Sequence, residues 1–198
     1  YDLEPLPRTP KLEDASQYGN NYLRQDSDFI SFETTVSTIK GQTVIAPGYL
    51  QSDHVEGDRH YFTYKMDAPI LNFYSFLSAE YEVVRDKFED IDIEVFHHAP
   101  HTYNVERMIG AVKDSLAYFN EAFSPYQHKQ VRILEFPSYR SFAQSFPNTI
   151  PYSEGIGFIA DIADENAIDL PYYVTAHEVA HQWWAHQVMS AYTQGGTM

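Results

Sequence analysis

An α+β fold with a β-rich first half is predicted for this chain by three observations: period-two alternation between Phe29 and Phe96, helical spacing between Asn104 and Phe123, and a second helical segment near the C-terminal end. Residues 1–27 carry three prolines and few apolar side chains (Leu3, Leu6, Leu12, Leu23), and read as an irregular lead-in. From residue 28 the apolar residues fall on alternate positions: Ile30 and Phe32 with Val36, then Phe62, Tyr64 and Met66, then Ile91, Ile93 and Val95 between Asp90, Asp92 and Glu94. Side chains of a strand point alternately to opposite faces, so this pattern predicts half-buried strands. Turn signals at Lys40-Gly41, Pro47-Gly48 and Glu56-Gly57-Asp58 separate the runs and predict an antiparallel arrangement.

The period then changes. Val105, Met108, Ile109, Val112, Leu116 and Phe119 share one helical face, with Asn104 as the expected N-cap and Ser124-Pro125 closing the segment. A strand is expected at 131–136, a loop with prolines after it, a short strand near 156–160, and a helix over 171–189 opened by Asp169 and Pro171. The change of period near His97 to His101 places an expected boundary between a β-rich unit, 28–97, and a mixed unit, 98–198.

Composition narrows the function. There are 13 Lys and Arg against 28 Asp and Glu, a net charge of −15, and no cysteine. Without thiolates, disulfide scaffolds, Cys-ligated zinc, iron–sulfur clusters and cysteine nucleophiles are excluded. The acidic balance argues against binding nucleic acid or anionic membranes, which requires clustered Lys and Arg. No run of about 18 apolar residues occurs, so no membrane span is expected. A chain running from Tyr1 to Gly195-Gly196-Thr197-Met198 reads as a piece of a longer protein.

The chemistry concentrates in His177-Glu178-Val179-Ala180-His181. Helical residues four apart are separated by about 400° of rotation and roughly 6 Å of rise, so both imidazoles project from one face and can share a tetrahedral ion. Glu178 lies about 100° around from His177, where it can act as a general base on water without ligating. Imidazole ligands without sulfur suit Zn²⁺. The flanks Val174-Thr175-Ala176 and Gln182-Trp183-Trp184 are uncharged, as expected of a buried site helix, and no Lys or Arg follows Arg140 to pair with Glu178. His186 lies about 140° past His181 and is expected behind the ligands or at the surface. His97, His98 and His101 are expected to be structural or surface residues, and Asp161 to Glu165 a solvated loop.

The stretch from His177 to Trp184, His-Glu-Val-Ala-His-Gln-Trp-Trp, resembles the zinc helix of aminopeptidase N-type gluzincin metallopeptidases. Upstream, Tyr152-Ser153-Glu154-Gly155-Ile156-Gly157-Phe158-Ile159 resembles the family's Gly-Ala-Met-Glu-Asn segment, with Glu154 in the place of its Glu and Gly155 in the place of its Asn. The wording of both segments is most similar to peptidase domains fused to bacterial ABC-type transporter permeases. This resemblance implies a later part of an N-terminal β domain followed by the start of a thermolysin-like catalytic domain. It implies one Zn²⁺ held by His177, His181 and a glutamate beyond residue 198, with Glu178 as base. Glu154, with Gly155 beside it, would bind the free α-amino group of peptide substrates. It further implies a soluble domain tethered to a bacterial membrane through a transporter portion of the parent chain, and a fragment inactive by itself. The competing reading is a non-catalytic pseudo-peptidase that binds peptides or regulates a transporter.

Overall fold

The structure is a computed structural model that describes residues 5, 7–21, 23 and 27–195; Leu3, Leu6 and the terminal Gly196-Thr197-Met198 lie outside them. The strands are β1 (Phe29–Ile30), β2 (Glu33–Ile39), β3 (Thr43–Ile45), β4 (Tyr49–Glu56), β5 (Arg59–Lys65), β6 (Ile70–Leu71), β7 (Leu77–Ala79), β8 (Glu82–Phe88), β9 (Ile91–His97), β10 (Gln130–Phe136) and β11 (Thr149–Ser153). Two helices complete the set, α1 (Val105–Ala122) between β9 and β10, and α2 (Leu170–Ala180) after β11. The fold is α+β and sheet-rich, as the alternation predicts.

Two sheets dominate. The first is antiparallel, in the order β2-β5-β4, with Val36 opposite Phe62 and Thr34 opposite Tyr64. Gly57, at φ 60, turns β4 into β5, a left-handed conformation that glycine adopts without a Cβ penalty. The second has the order β11-β10-β9-β8; β8 pairs antiparallel with β9, whereas β9, β10 and β11 run parallel. Strands β8 and β9, which precede residue 98, are thus hydrogen-bonded into the same sheet as β10 and β11.

This second sheet is covered on both faces, which explains why β10 is buried from Val131 to Phe136, Arg132 and Glu135 included. On one face, Ile93, Val95, Val131, Ile133 and Ile150 pack against Met108, Ile109, Val112 and Leu116 of α1 and Val179 of α2. On the other, Phe96 and Leu134 meet Ile45, with Leu77 and Tyr81 packed around them. Arg132 ties the two sheets together. Its buried guanidinium donates to Ala46 O at 2.7 Å, Asn148 Oδ1 at 3.0 Å and Thr149 Oγ1 at 2.7 Å, and lies 5.6 Å from the ring centre of Tyr64.

Three local expectations are corrected. Asn104 does occupy the N-cap position of α1, but its side chain makes no cap hydrogen bond. Its amide instead donates to Gly157 O at 2.7 Å and Ala160 O at 2.9 Å. Residues 156–160 therefore form turns rather than a strand, pinned by Asn104 and closed by the Ile159 N–H donating to Glu154 O at 3.0 Å. Gly157 is required there, because a Cβ would come within 2.5 Å of the Tyr152 ring.

The third concerns α2, which ends at Ala180 rather than continuing to Met189. Its start is as expected: Asp169 accepts from the Tyr172 N–H at 3.1 Å, and also pairs with Arg107 of α1. After His181 the chain tightens into three-residue turns, then breaks at Ala185, whose φ is 134. Side-chain burial drives this departure. Trp183 packs on Phe119 and Tyr126 and donates to Ser124 O at 2.8 Å, while Gln182 is fully buried among polar partners.

The irregular lead-in runs against the end of the described chain. Tyr192 N–H donates to Asn20 O at 2.7 Å, and Gln194 N–H to Pro10 O at 2.8 Å. Among the described residues no helix is long and apolar enough to cross a membrane.

Candidate functional site

Between β10 and β11 the chain makes a hairpin that no hydrophobic period in the sequence marks. Residues 142–146 form an arm antiparallel to β11: Gln144 N–H donates to Pro151 O, Ser153 N–H to Phe142 O, and Phe146 and Thr149 exchange two hydrogen bonds. The loop is only Pro147-Asn148, and Asn148, at φ 51, is among the few residue types that tolerate the left-handed region. The only sequence signal is this Pro-Asn pair.

The outer edge of the arm faces the C-terminal end of α2, held there by Gln182. The Gln182 carboxamide accepts from Asn148 N–H at 2.9 Å and donates to Ser145 Oγ at 2.5 Å and Phe146 O at 2.8 Å. Beside it, His186 Nε2 lies 3.2 Å from Ser145 O. His186 is 4% exposed, a buried residue behind the pair, and burial pushes its pKa down to about 4.

The sequence-predicted histidines converge on this edge. His177 projects from the last turn of α2 and His181 caps it, with their Nε2 atoms 3.1 Å apart and the rings nearly perpendicular at 88°. Two ligands of one tetrahedral ion at about 2.1 Å stand roughly 3.4 Å apart, so the spacing matches a shared ion to within a few tenths of an ångström. His181 Nδ1 lies 3.0 Å from Trp184 O. A carbonyl can only accept, so Nδ1 carries the hydrogen and Nε2 presents a lone pair. Burial, then the neighbouring His181, lowers the His177 pKa, which favours the neutral imidazole that binds metals.

Glu178, the residue after His177, is 5% exposed. Burial raises its pKa, opposed by the His181 charge and the Ser145 N–H; its Oε2 has no partner. An unpartnered buried carboxylate oxygen is costly, and such a group is poised to receive a proton. Among the described residues, no third His, Asp or Glu joins His177 and His181 in one metal-sized cluster.

Glu154 and Gly155 are not brought to this pair. Strand β11 starts beside Gln182 through Asn148, and Tyr152 near its end reaches Leu170 O, at the N-terminal end of α2. From Asn148 to Glu154 the strand climbs about 20 Å at its usual rise. Glu154 is held instead at the far end of the sheet, by Ser138 N–H at 2.8 Å and near His101 Nδ1 at 3.8 Å. A separate apolar cleft of about 560 Å³, lined by Phe76, Tyr81, Phe136, Tyr139 and Phe142, contains none of the α2 candidates.

No family model matches the chain, and no curated protein matches it in sequence. Solved structures do match in fold. An M1 zinc metallopeptidase from Deinococcus radiodurans superposes with a TM-score of 0.66 at 16% identity, covering 83% of this chain and 36% of that one. A Glu-to-Ala mutant of a two-domain M1 zinc metallopeptidase bound to L-arginine gives the same TM-score and coverages at 15% identity. A Deinococcus radiodurans M1 mutant likewise gives 0.66 at 15% identity, with 83% of this chain and 37% of that one covered. The chain therefore shares a fold with part of these peptidases, spanning little more than a third of their length.

Proposed function

We propose that this chain supplies the zinc-binding helix and adjoining sheet of a metallopeptidase. The observation that carries the reading is the convergence of the His177 and His181 Nε2 atoms beside the buried, half-partnered carboxylate of Glu178. His177 and His181 would hold one Zn²⁺, which when bound polarises a peptide carbonyl and makes water more acidic. Glu178 takes the proton from the attacking water and returns it to the departing amine, a role that its raised pKa suits. The Trp184 carbonyl keeps the His181 ring in its metal-binding tautomer. The arm, tied to Gln182, walls the site on one side.

The shared fold supports reading the β8–β11 sheet with α1 and α2 as the start of a thermolysin-like catalytic domain after a β unit, which moves its beginning from residue 98 to β8. A neighbour bound to L-arginine supports an amino-acid or peptide ligand. The proposal extends to a parent chain longer than 198 residues, with a glutamate as third ligand and, by the sequence resemblance, a transporter portion. No amine-holding role is assigned to Glu154 or Gly155, which sit at the other end of β11.

Zn²⁺ titration of the chain tests the ligands. Loss of one Zn²⁺ equivalent in His177→Ala and in His181→Ala supports the site, and unchanged stoichiometry and affinity in both refutes it. For catalysis, a protein extended beyond residue 198 is assayed on aminoacyl-nitroanilides and on a quenched internal peptide. Equal rates for it and its Glu178→Gln variant would dismiss the proposed base.

A further inference from the structure

We infer that His101, Glu135 and Glu154 form a second divalent-cation site, distinct from the α2 pair. The parallel strands β9, β10 and β11 all end at the same edge of the sheet, at His97, Phe136 and Ser153. Crevices at the carboxyl ends of parallel strands are where open sheets collect ligands, because the loops there diverge and leave room. Each strand end contributes one donor: His101 from the loop after β9, Glu135 from β10, and Glu154 immediately after β11. One nitrogen and two carboxylate oxygens lie within 4.8 Å of one another.

Backbone amides orient the carboxylates. His98 N–H holds Glu135 Oε2 at 2.7 Å, and Ser138 N–H holds Glu154 Oε1 at 2.8 Å. The remaining oxygens, Glu135 Oε1 and Glu154 Oε2, are the ones that approach His101 Nδ1, the first in direct contact and the second at 3.8 Å. This is the outer support that metal-ligating carboxylates ordinarily have. Donors around an ion at about 2.1–2.2 Å stand roughly 3 Å apart when adjacent and about 4.3 Å when opposite. Closure therefore needs side-chain shifts of about 1 Å or less, with the ion displacing the proton between His101 and Glu135.

Charge supplies an independent argument. Glu135 is 0% exposed, and among the described residues no Lys or Arg pairs with it or with Glu154. Glu135 is the buried member and Glu154 the partly exposed one, and the single imidazole of His101 faces both, so a cation placed among the three would pair the two carboxylates at once. An imidazole with two carboxylates suits Zn²⁺ or Mn²⁺, with water completing the shell. The ion would clamp the 98–101 loop, the end of β10 and the turn at 154–160.

The test uses the chain carrying both His177→Ala and His181→Ala, so that only the new site remains. Zn²⁺ by calorimetry and Mn²⁺ by electron paramagnetic resonance are expected to bind at one equivalent. Saturation should raise the melting temperature by roughly 5–10 °C. Adding Glu154→Gln or His101→Ala, both at partly exposed positions, is expected to weaken binding at least about tenfold. Absence of binding up to about 1 mM of either ion, or affinity unchanged by both added substitutions, would overturn the site. In the unsubstituted chain, two equivalents are expected. Loss of only the α2 equivalent would count against the peptidase reading and leave this one standing.

Discussion

Replacing Glu178 with Gln should make the protein more stable. The carboxylate is buried, its Oε2 is unpartnered, and burial outweighs the Ser145 N–H and His181 in raising its pKa. An ionised buried oxygen without a partner costs about 1–3 kcal/mol, and the lost charge assistance to the Ser145 hydrogen bond returns about 1 kcal/mol of that. A net gain of about 1 kcal/mol is therefore expected at pH 7.5, a rise in melting temperature of about 2–4 °C for a chain of this size.

The gain should depend on pH in a defined direction. The folded protein binds this proton more tightly than the unfolded chain, whose value is near 4.5. Wild-type stability from the group is thus fully present below that value and is lost as pH rises through the higher folded one. The difference between Glu178→Gln and wild type should be largest at neutral pH and shrink toward pH 4.5. Urea unfolding of both proteins with EDTA at the two pH values measures it, and acid effects common to both cancel in the difference. A variant less stable at pH 7.5, or a difference that does not shrink on acidification, would refute the reasoning.

Acid itself should unfold the protein early. His128 and His186 are buried, chiefly by burial depressed to about 3 and about 4 from 6.5, so their contribution is present above pH 6.5 and is lost as pH falls toward those values. Circular dichroism against pH should show His128→Phe unfolding at a lower pH than wild type. Arg132→Met should cost about 3 kcal/mol by denaturant titration, because Ala46 O, Asn148 Oδ1 and Thr149 Oγ1 lose a buried donor. Gln182→Leu should cost about 2–4 kcal/mol, and should speed hydrogen exchange in the 142–149 arm and turn more than in α1, since it removes three hydrogen bonds to that segment.

The α1 helix and the β2, β5, β9 and β10 strands were legible in sequence because their periods report one- or two-sided burial along a single element. The arm was not: five residues and a Pro-Asn turn carry too short a pattern, and their pairing with β11 is a long-range event. Asn104 shows the same limit. Its type suits an N-cap, yet carbonyls 53 and 56 residues away compete for its amide, and tertiary contact wins.

Sequence alone determined the His177–His181 geometry, since four residues of helix bring two side chains together whatever surrounds them. Composition alone excluded thiolate chemistry. Only the tertiary structure set the environment of Glu178, the identity of its neighbours in the arm, and the position of Glu154. Those depend on which ends of β11 and α2 meet. That orientation is chosen by burying Tyr152, Gln182 and Trp183 with their polar atoms satisfied, a balance summed over segments far apart in the chain.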